Sequence, residues 1–174
     1  MRYEEELKGS QIVLIMVEKE KYHDSLMQIV SAADSMSGRI CYVAINKPAS
    51  AVQGDLKSSG LNPDKYFFID TITSTVRTPA LDPNCEFVQN PGALTEISMA
   101  FTKAASEKGC DNAIFDTIST LAVYQGVSEI VKLIHNLITK ARVNNMKSVY
   151  IAMKGDNAEL IKDLTMFVDA AVEA

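Results

Sequence analysis

Short apolar runs rich in Ile and Val alternate along this chain with longer segments of helical periodicity, and this alternation most constrains its fold. Runs that are apolar throughout are typical of strands buried on both faces of a parallel sheet. We predict such strands at 11–17, 39–46, 66–72, 113–116 and 148–153, with further short strands at 85–89 and 168–172. The alternation predicts an α/β fold, a three-layer α/β/α sandwich with a mainly parallel central sheet, built by residues 1–174 as a single domain.

The segments between these runs place apolar residues on one helical face, and we predict helices at 24–37, 48–60, 93–108, 127–143 and 158–167. The clearest is 127–143, whose apolar face includes Ile130, Ile134 and Leu137. The stretch 73–84 is rich in Thr, Pro and Asp, which predicts an irregular surface loop, either functional or merely connecting. The charged opening at 2–8 is expected to be a solvated flank, or alternatively a contact for a basic partner.

Composition excludes several classes of function. Hydrophobic residues make up 47% of the chain and charged residues 22%, as in ordinary globular proteins. A net charge of −5 disfavours a nucleic-acid surface, which needs a basic stripe. No apolar run approaches the ~20 residues of a membrane span. The three cysteines lack metal-type spacing, so we expect reduced thiols and a cytoplasmic protein.

Asp116 is the most informative polar residue, because it ends the apolar run 113–116. In open α/β sheets, ligands bind at the edge formed by the carboxyl ends of the strands. Asp116, together with Thr117, Ser119 and Asp70, is therefore a candidate metal site. The alternative is that Asp116 caps the loop behind its strand while the hydroxyls satisfy nearby backbone groups.

In order and pattern, nearly the whole chain resembles the RecA/KaiC-like group of P-loop ATPase domains. The resemblance is carried by QIVLIMV, SLMQIV, YFFIDTI, NAIFDTISTL and the ending KDLTMFVDAAVEA. It implies a RecA-like fold in which Asp116 takes the position of the Walker B aspartate, which holds the magnesium of a bound nucleotide. It also implies that 17–25 is the phosphate-loop segment, with Lys19, Lys21 and Ser25 at the Walker A positions.

Two departures from the family pattern bear on function. Residues 17–25 contain no glycine, although a phosphate cradle needs glycines so that successive backbone N–H groups can turn toward the anion. After the second predicted strand, the family usually has one or two glutamates that orient the attacking water. This chain has Asn46-Lys47-Pro48 there, and neither an amide nor an ammonium accepts a proton as a carboxylate does.

These departures predict a pseudo-ATPase, a RecA/KaiC-like domain without hydrolysis that acts as a regulatory or scaffolding protein. We expect no cofactor, and a protein partner or self-association rather than a nucleotide, a nucleic acid or a membrane. One alternative is an atypical ATPase that binds phosphate through Lys19 and Lys21, with magnesium on Asp116. Another is a receiver-like or flavodoxin-like signalling domain that uses carboxylates such as Asp70 or Asp116 at strand ends.

Overall fold

A seven-stranded parallel sheet forms the centre of the molecule, in a computed structural model that describes residues 3–174. The strand order is β4-β3-β2-β5-β6-β1-β7, and every pair of neighbouring strands is parallel. The strands are β1 (Ile12–Val17), β2 (Arg39–Ala44), β3 (Tyr66–Asp70), β4 (Cys85–Phe87), β5 (Cys110–Asp116), β6 (Lys147–Met153) and β7 (Ala170–Glu173). The predicted parallel sheet is thus confirmed.

Helices cover both faces of this sheet. They are α1 (Glu4–Gly9), α2 (Tyr22–Asp34), α3 (Ala49–Ser58), α4 (Leu94–Ser106), α5 (Ile118–Leu121), α6 (Val127–Val143) and α7 (Ala158–Thr165). The buried side chains of α1, α2 and α3 belong to one apolar cluster, and those of α4 to α7 belong to the other. The sheet lies between the two clusters, which gives the predicted three layers.

The longest helix, α6, shows how the sequence specifies a covering element. Ile130, Ile134, Leu137 and Ile138 recur at intervals of three or four residues, and all are buried against the sheet. The chain leaves the helix through Asn145, whose φ of 55° is the left-handed conformation that asparagine tolerates after a helix end. The sequence prediction of this helix is confirmed at both ends.

Two short helices differ from the sequence prediction. The charged opening forms the short helix α1, in which Leu7 is buried, as is Tyr3 directly before it, while Glu5 and Lys8 are exposed. Helix α5 follows Asp116 directly, and Thr117 caps it by accepting the Thr120 N–H at 3.1 Å. Both helices are too short to show a helical period in the sequence.

The last predicted strand is confirmed as the edge strand β7, which pairs with β1. Asp169 holds it in place, since its Oδ2 accepts the Ile12 N–H at 2.9 Å and its Oδ1 lies 3.0 Å from the Arg142 guanidinium. At the opposite edge, the stretch 73–84 forms only a short turn at Thr73–Thr75 before an irregular surface loop. Over residues 3–174, no helix has the length and apolarity needed to cross a membrane.

Candidate functional site

Three neighbouring segments meet at the carboxyl edge of the sheet. Strand β5 ends at Asp116, the adjacent β2 leads into Asn46, and helix α2 begins at Tyr22. Main-chain pairing continues past β2, because the Ile45 N–H donates to the Asp116 carbonyl at 2.9 Å. The Asp116–Thr117 peptide bond is cis. The meeting of β5, the segment after β2, and α2 brings side chains from distant parts of the sequence around the Asp116 carboxylate.

Both carboxylate oxygens of Asp116 accept hydrogen bonds from protein groups. The Tyr42 hydroxyl donates to Oδ2 at 2.5 Å, and the Tyr22 hydroxyl donates to Oδ1. The Asn46 amide also donates to Oδ1, at 3.1 Å. Asp116 is only 1% exposed, so these donors replace the water that a carboxylate would otherwise need.

The network continues through hydroxyl and amide groups beyond Asp116. The Asn46 amide donates to the Tyr22 hydroxyl at 2.8 Å, while its carbonyl oxygen accepts the Thr120 hydroxyl. The Thr117 and Thr120 hydroxyl oxygens are 3.0 Å apart. Hydrogen bonds therefore run from Thr117 through Thr120, Asn46 and Tyr22 to Asp116, and they join β5, α5, α2 and the segment after β2.

Burial dominates the electrostatics of this cluster. It raises the pKa of Asp116, and the hydrogen bonds from Tyr22 and Tyr42 and the Lys47 ammonium oppose that shift. Burial, followed by the negative charge of Asp116, raises the pKa of the Tyr22 and Tyr42 hydroxyls far above the usual value. Both tyrosine hydroxyls therefore stay protonated at neutral pH and act as hydrogen-bond donors. Lys47 forms an ion pair with Asp55 at the rim of the cluster.

The corner between β1 and α2 is short. Glu18 follows β1, one 3₁₀ turn spans Lys19–Lys21, and α2 begins at the next residue, Tyr22. The Lys21 N–H donates to the Glu18 carbonyl at 3.1 Å, which closes the turn on itself. This path carries the Tyr22 side chain from the start of α2 onto Asp116.

The residues predicted at the Walker A positions do not converge on Asp116. Lys19 and Lys21 are exposed, and the Lys21 ammonium lies 2.7 Å from the Glu18 carboxylate. Ser25 is buried in the first turn of α2. The hydrogen bonds around Asp116 instead come from Tyr22, Tyr42 and Asn46.

The other members of the candidate metal site have separate structural roles. Asp70 lies at the end of β3, two strands from β5, and its carboxylate accepts the backbone N–H groups of Ala49, Ile72 and Thr73. The Ser119 hydroxyl oxygen accepts the Met153 N–H at 2.7 Å. Among residues 3–174, no group of three or more His, Cys, Asp or Glu side chains could hold a metal ion.

Tyr22, Tyr42 and Thr120 complete the network, and no sequence pattern predicts their role. Tyr42 lies within an apolar strand, where its hydroxyl gives no sign of its partner, and Tyr22 follows a run of exposed charges. The sequence does show one signal: the predicted strand that ends at Asp116 has a carboxylate at its end, and the second predicted strand leads into the polar residue Asn46. A buried carboxylate requires donors, but spacing in the sequence does not identify them.

A search of solved structures finds a KaiC-like protein from the hyperthermophilic archaeon Pyrococcus horikoshii OT3. It aligns with a TM-score of 0.60 and 13% sequence identity, over 86% of this chain and 65% of that protein. No protein-family model matches this chain. No curated protein matches it either. At this identity the likeness concerns the fold alone, and this chain has the RecA-like α/β fold of that KaiC-like protein.

Proposed function

We propose that this chain is a non-catalytic RecA/KaiC-like domain that acts as a regulatory or scaffolding protein through protein contacts. The main observation behind this proposal is that the Tyr22 hydroxyl donates a hydrogen bond to Oδ1 of Asp116, the carboxylate at the Walker B position. In nucleotide-binding members of the superfamily, the carboxylate at this position holds the magnesium ion. Here both oxygens are already engaged by neutral donors, so the residues present do not fit a magnesium ion.

The corner after β1 supports the same conclusion. A phosphate cradle requires several backbone N–H groups that point inward toward an anion. The 3₁₀ turn at Lys19–Lys21 has no glycine, and its Lys21 N–H is used within the turn. Acidic side chains at Glu18 and Glu20 add repulsion toward a polyphosphate. The Walker A segment of this chain is therefore degenerate, and we do not expect catalysis.

A titration with a fluorescent ATP analogue and Mg²⁺ tests the loss of nucleotide binding. We expect no saturable binding to the wild type in the micromolar range. Saturable micromolar binding that disappears in Asp116→Asn would overturn the proposal in favour of an atypical ATPase. The same analogue without Mg²⁺ serves as the control for non-specific association.

The proposed contact surface lies on loops at the carboxyl edge. Val76 follows β3 and is 82% exposed, while Val123 and Tyr124 follow α5 and are 79% and 49% exposed. Large apolar side chains on one side of a molecule are typical of protein interfaces. They support a partner protein or self-association at this edge.

Light scattering and a pull-down test that surface. We expect the wild type to form an oligomer or retain a partner, and Val123→Ser to weaken this association. Met166→Ser is the matched control, because Met166 is also exposed but lies beyond α7, on the approach to the start of β7. A wild-type monomer that retains no partner would contradict the scaffolding role, and equal losses in both variants would contradict the assigned surface.

A further inference from the structure

Tyr22 joins the corner between β1 and α2 to the buried cluster around Asp116. Lys19, Glu20, Lys21, His23 and Asp24 are all exposed, and Tyr22 alone among residues 19–24 is partly buried. Glu18 also forms ion pairs with Lys21 and Lys154 at the outer side of the corner. Among residues 19–24, Tyr22 is therefore the side chain that ties the corner to the interior.

Tyr22 also occupies the middle of the hydrogen-bonded chain that ends at Asp116. Its hydroxyl accepts from the Asn46 amide at 2.8 Å and donates to Asp116 Oδ1. Loss of that hydroxyl removes one donor from a buried carboxylate and one acceptor from the Asn46 amide. Asp116 Oδ1 then keeps only the Asn46 donor, at 3.1 Å, and a hydrogen bond to a charged group contributes more than an ordinary one.

We propose that Tyr22 is an intramolecular latch, which closes the carboxyl edge over Asp116 in the position where a RecA-like ATPase would hold its ligand. The latch rests on the proposed function, because it describes how the edge stays ordered without a nucleotide. Release of Tyr22 frees the corner at 18–24 and exposes Asp116 to solvent.

Amide hydrogen exchange of Tyr22→Phe, without nucleotide, tests the latch. The phenylalanine keeps the ring and removes only the hydroxyl. We expect the amides of Lys21 and Tyr22, which donate within the turn, to exchange at least about tenfold faster, the factor that corresponds to loss of about 1.4 kcal/mol. Amides in the core strand β6 should exchange faster only by the factor that corresponds to the loss of global stability.

Tyr66→Phe is the matched control, since the Tyr66 hydroxyl donates to Asp34 at 2.6 Å at the opposite end of α2. It should not accelerate exchange at 18–24. Unchanged exchange at the corner in Tyr22→Phe, or the same acceleration in both variants, would overturn the latch.

Carboxyl labelling with a carbodiimide and glycine ethyl ester gives a second, direct reading. In the wild type, Asp116 should react far less than the exposed Glu159. In Tyr22→Ala its labelling should rise at least about tenfold relative to Glu159. If Asp116 stays unreactive in that variant, Tyr22 does not close the edge. Neither experiment contains nucleotide, so failure of the latch is distinguishable from failure of the proposed function, which the nucleotide titration measures.

Discussion

Replacement of Tyr42 by phenylalanine isolates the contribution of one hydroxyl to the buried cluster. Tyr42 is 1% exposed, and its hydroxyl is the donor to Asp116 Oδ2, at 2.5 Å. The two remaining donors, from Tyr22 and Asn46, both serve Oδ1. Tyr42→Phe therefore leaves a buried carboxylate oxygen without its donor, and hydrogen bonds to charged groups are worth about 1.5–3 kcal/mol. We expect the free energy of unfolding to fall by about 2–3 kcal/mol.

Urea unfolding at pH 7 measures this loss, and a double-mutant cycle assigns it. Tyr66→Phe is the comparison, because its hydroxyl also donates to a carboxylate, Asp34, which retains Lys65 as an ion-pair partner. That variant should lose only about 1 kcal/mol. A cycle of Tyr42→Phe with Asp116→Asn should give a coupling energy of at least about 1 kcal/mol. A cost for Tyr42→Phe no larger than that for Tyr66→Phe, or a coupling energy near zero, would refute the reasoning.

Three further predictions concern other parts of the fold. Arg142→Met should lower the free energy of unfolding by about 1 kcal/mol or less, because the Arg142 and Asp169 side chains are 39% and 37% exposed. Arg142 lowers the pKa of Asp169, so the stability that Asp169 adds is complete above its unfolded pKa and lost as pH falls through its folded pKa. Acid unfolding of Arg142→Met should therefore be less steep, and an unchanged acid profile would contradict this. The free energy of unfolding of Asp116→Asn should increase relative to that of the wild type as pH rises above the unfolded aspartate pKa of about 3.9. Burial raises the pKa of Asp116, and a raised pKa costs the wild type stability as pH increases. A pH-independent difference in urea unfolding would contradict this. Leu137→Ala should cost about 2–5 kcal/mol in the same assay, since Leu137 is fully buried in α6, and a cost below about 1 kcal/mol would contradict that packing.

The sequence predicts the covering helices and the buried strands well, because each has a local period or a continuous apolar run. Helix α6 and the edge strand β7 are examples. Helix α1 escapes prediction because Leu7 is its main buried side chain and its three acidic residues indicate a solvated segment. Six residues are too few for a helical period to become visible.

The site was less predictable for a different physical reason. Asp116 could be identified from the sequence because burying a carboxylate at the end of an apolar strand costs free energy, so its presence there indicates that donors or a ligand meet it. Its donors, Tyr22 and Tyr42, come from two other elements, 94 and 74 residues away in sequence. Which hydroxyl reaches the carboxylate depends on the length of the corner at 18–21 and on the register of β2 against β5. Neither is encoded in a local pattern.

Thermal unfolding with and without Mg·ATP tests the central claim most directly. A ligand present at about 100 times its dissociation constant stabilises a protein by about 2.7 kcal/mol. For a chain of 174 residues, each kcal/mol raises Tm by roughly 2–4 °C. If Tyr22 closes the edge over Asp116, Mg·ATP at about 1 mM should shift Tm by less than about 1 °C, because no micromolar site exists for it. A rise of about 5 °C or more that Asp116→Asn abolishes would show that the edge binds nucleotide, and it would contradict the account.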